Sequence, residues 1–340
     1  MTRRDLLAAS LALTGCARDR RPRLNILNWS AYIAPDTVPK FEAAFGVRVR
    51  YSVYESNEEM FARVASGNSG WDIVFPSASF IPPMLAEELL APLDHRLLPN
   101  LANLDPAFEH PVHDPQLHWS VPYMTGAAGI VYNRSLTPAP TAWADLWDER
   151  LRGRITMLDD PTDVFAACLK RLGKSVNCED PAGLRAAARL AIAQKPLLRA
   201  YINAEVRDQL VSGDVLAAQM WATTSQQAID ESDRIAFVYP REGYPSYLDT
   251  TVILRESSRA ELAHRFLNFL LRPEIAAANA LAARTTTTNL AARQFLPAAF
   301  RDNSTLYPPP AVAALGELEL ALRPETLRLR DRLWTEVKSA

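Results

Sequence analysis

Apolar runs of strand length alternate along this chain with amphipathic runs of helix length, and that alternation constrains the fold more than any other feature. Residues 24–29 read as a strand and 36–45 as a helix; 47–52 and 57–65 repeat the pair, and a strand at 72–75 and a helix at 80–90 follow. This βαβαβ rhythm predicts a mostly parallel sheet flanked by helices, since a parallel neighbour is reached only through a crossover. The rhythm returns with a strand at 153–158, helices at 160–172 and 182–192, and a strand at 215–221, which predicts a second α/β lobe. Helices at 260–271 and 272–283, a Pro-rich stretch at 306–310 and terminal helices to Ala340 complete the pattern. With 340 residues, 48% of them hydrophobic, the chain can fill two such cores.

The opening MTRRDLLAASLALTGCARD sets Arg3 and Arg4 before a short apolar run, 6–13, then small residues and Cys16. That is the pattern of an export signal, too short for a permanent span of about 20 apolar residues. Leu13-Thr14-Gly15-Cys16 resembles the bacterial lipobox, so the expectation is a signal peptide over 1–15, then a lipidated Cys16 and a linker through 23. The paired arginines leave both the general and the twin-arginine export routes open. Cys168 and Cys178, too few for a disulfide framework and not spaced as zinc pairs, form either one bridge or two buried thiols.

Lys+Arg 37 against Asp+Glu 39 gives a net charge of -2, without the basic excess that nucleic acid or an anionic membrane surface would require. Gly173-Lys174-Ser175 resembles the end of a phosphate-binding loop, but Cys168 stands where its first glycine belongs, and no dinucleotide fingerprint occurs, so no cofactor is expected. His110, His113 and His118 around Asp114 fit neither a helix face nor a strand pair; they read as an exposed linker, and no metal site is expected.

In open α/β sheets ligands collect beyond the carboxyl ends of strands, where Trp29, Ser77, Asp160 and Trp221 fall. Asp160 and Asp163 lie one turn apart on one helix face, which suits cation binding, although acids in a first turn also serve as helix caps. Trp29, Tyr32, Trp221, and Tyr247 two residues before Asp249, add π-faces. Carboxylates and aromatic rings together suit an alkylammonium, which loses its hydration on burial and must recover it from charge and π contacts. A hydrolase built on Asp160 and Asp163 is the weaker reading, because neighbours on one helix cannot flank a scissile bond. A ferric or anion site would call for tyrosine and histidine clusters or basic residues at these positions.

Eight strings follow in order: Asn28-Trp29-Ser30-Ala31-Tyr32-Ile33-Ala34-Pro35, Tyr54-Glu55-Ser56-Asn57-Glu58, 72–80, Pro122-Tyr123-Met124, 143–147, 158–165, 268–273 and Tyr307-Pro308-Pro309. They resemble segments of the periplasmic spermidine/putrescine-binding proteins of bacterial ABC importers. Together they span nearly all of 24–338 and lean toward the putrescine type. The resemblance implies a two-lobed periplasmic binding protein fold of type II, with lobe 1 formed by 24–127 plus 249–292 and lobe 2 by 131–246 plus 296–340. It implies ligand contacts from Trp29, Ser30, Tyr32, Ser77, Ser79, Asp160, Asp163, Trp221, Tyr247 and Asp249. Four positions depart from the pattern: Ala31 replaces an acid, Thr224 the aspartate of the putrescine type, Ser79 the tyrosine of the spermidine type, and Thr285 a tyrosine of both.

The expected function is therefore capture of a polyamine or similar small organic cation between the lobes, without catalysis. The loaded protein, a monomer tethered outside the cytoplasm through Cys16, would deliver its ligand to a membrane permease with its ATPase. The alternative in the same fold is a lipid-anchored sensor feeding a signalling membrane protein.

Overall fold

The computed structural model describes residues 21–340; the expected signal peptide, Cys16 and most of the linker lie outside the described residues. The first half runs β1 (Arg23–Trp29), α1 (Thr37–Phe45), β2 (Arg48–Tyr54), α2 (Asn57–Val64), β3 (Ile73–Val74) and α3 (Ile81–Ala86). β1 pairs in parallel with both β2 and β3, as the alternation predicts. Local signals set the boundaries. Gly46 ends α1 at φ 64°, a left-handed conformation that costs glycine little, and Ser56 caps α2 by accepting from the Glu59 amide. The helix expected over 80–90 is shorter, because Pro82 and Pro83 open α3 and Glu88, at φ 54°, turns the chain so that Leu90 bridges Leu254.

β4 (Ser120–Asn133) then leads into the second half. There β5 (Ile155–Met157), α4 (Pro161–Arg171), α5 (Pro181–Gln194), β6 (Leu198–Tyr201), α6 (Val206–Ser212), β7 (Ala217–Trp221), α7 (Ala222–Glu231) and β8 (Ile235–Val238) follow. β5 lies parallel to β6 and β7. β9 (Tyr244–Ile253) returns antiparallel to β4, pairing 246–252 with 120–127, and reaches β3. The front of β4 thus belongs to one half, while 128–133 pair with β7 and β8 of the other. The result is one mixed sheet of eleven strands in which β4 and β9 carry the chain between two lobes.

α8 (Ala260–Leu270), α9 (Pro273–Ala283) and β10 (Thr286–Thr287), which pairs with β4, complete the first lobe's surroundings. After α10 (Ala298–Arg301) and α11 (Pro310–Ala313), where only helices were expected, β11 (Gly316–Leu318) adds in parallel to β9 before α12 (Pro324–Ser339). Among the described residues the buried apolar side chains form five clusters, two of them the largest. Leu24, Ile26, Phe41, Phe75, Phe266 and Phe269 fill the first, and Trp143, Ile155, Phe165, Leu184 and Ala217 the second, closed by Leu329, Leu333 and Val337 of α12. Each large apolar side chain so buried contributes about 1.5–3 kcal/mol. Cys168 and Cys178 are free thiols, Cys168 within the second core.

Candidate functional site

The carboxyl ends of β1, β3, β5 and β7 converge on the cleft beside the crossing strands, and the side chains there are mostly acids and aromatics. Asp249, on β9 and only 4% exposed, is the centre of the first lobe's contribution. Its Oδ1 accepts from Ser77 Oγ at 2.6 Å and its Oδ2 from Tyr32 Oη at 2.8 Å. Asn57 holds Ser77 through its backbone amide and hydroxyl, both at 3.0 Å, while Tyr123 Oη donates to the Tyr32 carbonyl at 2.8 Å. Burial pushes the Asp249 carboxyl up to about 6, against the two hydroxyl bonds that favour its anion. Burial and that neighbouring charge hold the Tyr32 phenol protonated, so it remains a donor. Trp29 lies beside it, its Nε1 donating to the Phe75 carbonyl at 2.8 Å and its ring 4.6 Å from that of Tyr54.

The second lobe answers with the start of α4. Asp160 is its cap: Oδ1 accepts from the amides of Thr162 at 2.7 Å and Asp163 at 3.3 Å, and Pro161 occupies the first turn. Asp163 is 6% exposed and accepts from Trp221 Nε1 at 2.8 Å. Its pKa is raised, first by burial and then by the Asp160 charge, with the indole bond and Arg330 opposing. Tyr247 lies between the two acid groups, feels both Asp249 and Asp163, and its hydroxyl is 3.2 Å from that of Thr223.

Two sequence-predicted residues stay outside this network. Ser30 is exposed in the turn after β1, where Ala31 adopts φ 52°, and Ser79 is half-buried; neither side chain forms a hydrogen bond among the described residues. The histidines do not gather either: among the described residues no group of three or more His, Cys, Asp or Glu is placed to hold a metal.

One acid at the cleft was not foreseen. Glu319 follows β11, its amide donating to the Ser246 carbonyl at 2.8 Å, which sets it beside Tyr247. Its carboxylate forms no hydrogen bond or ion pair among the described residues. Burial, then Asp163, Asp160 and Asp249, push its pKa well above the usual carboxylate range, with Arg330 opposing. The signal was the alternating Gly316-Glu317-Leu318-Glu319-Leu320, a strand pattern inside a stretch read as helical. Arg330, 7% exposed on α12, is the countercharge to Asp163, Glu319 and, from the first lobe, Glu58.

The pattern of the bacterial extracellular solute-binding proteins matches residues 36–307, four-fifths of the chain. The chain belongs to that family. Among curated relatives, this solute-binding protein is 34% identical over 357 residues to the putrescine-binding periplasmic protein PotF of Escherichia coli (strain K12), covering 98% of this chain and 95% of that one. Among solved structures, it superposes with a TM-score of 0.82 and 28% identity on the spermidine/putrescine ABC transporter substrate-binding protein PotD of Streptococcus pneumoniae, covering 94% and 99% of the two chains. It superposes with a TM-score of 0.84 and 29% identity on the Tp0655 lipoprotein of Treponema pallidum, covering 93% and 99%. These likenesses bear out the family resemblance and the two-lobed fold, and no described helix of this solute-binding protein is long and apolar enough to cross a membrane.

Proposed function

We propose that this protein captures a polyamine, or a small organic cation of similar build, between its lobes and delivers it to an ABC permease. The observation that carries this reading is the gathering of Asp163, Asp249 and Glu319 at one cleft, all with raised pKa values, with buried Arg330 set against Asp163 and Glu319. The acids outnumber that one positive partner, and an ammonium at each end of a diamine supplies the balance. The relatives named for putrescine and spermidine point the same way.

Lobe 1 is taken as 24–127 plus 249–292 and lobe 2 as 131–246 plus 296–340. Trp29, Tyr32, Ser77 and Asp249 act from the first, and Asp160, Asp163 and Trp221 from the second. A ligand held by both lobes favours the closed state by the affinity it gains there, which is what a permease recognises. Tyr247 sits at the crossing, and Ser30 and Ser79 can reach the ligand only from the rim. No bond is made or broken, and the ATPase works on the far side of the permease. The protein acts as a monomer outside the cytoplasm, and lipidated Cys16 would tether it; the Treponema relative is itself a lipoprotein. Equilibrium dialysis of ligand-stripped protein against putrescine, spermidine, cadaverine and agmatine tests the reading. One saturable site for at least one amine is expected, and retention of none of them would refute it.

A further inference from the structure

The crossing strands have a second side. Side chains alternate along β9, so Tyr247 and Asp249 belong to the acidic cleft while Tyr244 and Ser246 line an adjoining cavity of about 640 Å³, whose wall also includes Thr223 and Thr285 beside Tyr247. That volume lies in the range of about 300–1,000 Å³ typical of small-molecule sites. No Asp or Glu lines this cavity, but Arg293 and Arg301 do. Arg301 is exposed and its side chain forms no ion pair or hydrogen bond among the described residues. Arg293 is 52% exposed and only loosely engaged, 3.6 Å from Asp105. The cleft thus gathers several acids around Arg330, whereas the cavity lining carries two bases and no acid. Tyr239, Tyr244 and Tyr307 supply aromatic walls, and Thr223 and Thr286 supply hydroxyls.

We propose that this rear cavity is a second binding site, selective for a small organic anion with an aromatic or apolar body. The two guanidiniums offer charge-assisted hydrogen bonds to a carboxylate or sulfonate, while the tyrosines cover the body. An amine is repelled here as it is attracted in the cleft, so the two sites take different ligands. The two sites adjoin, because Thr223 of the cavity wall is hydrogen-bonded with the Tyr247 hydroxyl and the walls come from both lobes and the strands between them. This site does not depend on which cation occupies the cleft.

The test is a fluorescence titration with 8-anilinonaphthalene-1-sulfonate, alongside the uncharged N-phenyl-1-naphthylamine, which has the same aromatic body. One saturable site is expected for the sulfonate, at least about tenfold tighter than for the neutral dye. R293Q/R301Q is expected to erase that difference, Thr286→Trp to fill the cavity and abolish binding, and saturating putrescine to leave the dye bound. Equal affinity for the two dyes overturns the proposal. So does a sulfonate preference that survives in R293Q/R301Q, or displacement of the dye by putrescine one for one, which would put the dye in the cleft. Should Thr286→Trp lower the thermal midpoint, R293Q/R301Q decides.

Discussion

Asp249 receives two hydroxyl donors and keeps its remaining lone pairs for the cleft. Asp249→Asn keeps the shape but turns an amide donor toward a hydroxyl and removes the charge, so amine affinity should fall about 10- to 150-fold, the range of a charged hydrogen bond. Titration of the variant with putrescine checks this. Ala31, exposed at φ 52°, occupies a conformation that aspartate tolerates better than alanine. Ala31→Asp should therefore leave the thermal midpoint unchanged or raised and strengthen amine binding by restoring an acid at the rim. Unchanged binding would show that position 31 lies away from the ligand. Glu319→Gln should stabilise the ligand-free protein above the usual carboxylate range, since glutamine neither has to hold a proton there nor bears a charge beside three aspartates, and should weaken amine binding. The sequence showed the acids at strand ends because capping and the strand-end rule both mark such positions, as with Asp160. It hid Glu319 because nothing local distinguishes an acid in a short strand from one on a surface helix.

At the scale of elements, the parallel strands were legible in the local pattern, whereas strands crossing between the lobes were implied only by the family resemblance. β4 reads Ser-Val-Pro-Tyr-Met-Thr-Gly-Ala-Ala-Gly-Ile-Val-Tyr-Asn, and a proline and two glycines argue against a central strand. The glycines answer to tertiary contacts. A Cβ on Gly126 would come within 2.6 Å of Tyr247 Cζ, and one on Gly129 within 2.5 Å of Phe237 Cζ, so backbone and ring approach too closely for any side chain. Gly126→Ala should displace Tyr247, lower the thermal midpoint and weaken amine binding. Tyr247→Ala in the same chain should recover the midpoint without recovering the affinity. The segment bearing Glu319 is likewise fixed from outside: Lys170, Ser175 and the Val176 amide hold Glu317, while Asn177 brackets Leu318 and Leu320. These partners lie about 140 residues upstream, beyond the reach of a local pattern.

The whole molecule brings acids from both lobes together in one cleft, and this governs its response to pH. An acid whose pKa is higher folded than unfolded makes the folded state bind more protons, so stability declines as pH rises between the two values. For Asp249 that interval runs from 3.8 to about 6, and the raised Asp163 and Glu319 continue the decline above it. The thermal midpoint of the ligand-free protein should fall from pH ~4 upward, less steeply in Asp249→Asn. Binding an amine should expel the retained protons, which titrations in two buffers of different ionisation enthalpy would reveal. In the proposed capture, cleft closure draws on one acid from each lobe. The most direct measurement is isothermal titration of ligand-stripped protein with putrescine, spermidine, cadaverine and agmatine, in the native chain and in Asp163→Asn, Asp249→Asn and the double variant. A one-to-one isotherm for at least one amine, weakened at least about tenfold by either substitution, is the predicted result. Undiminished binding in the double variant, or no heat from any of the four amines, would contradict capture of a cation between the lobes.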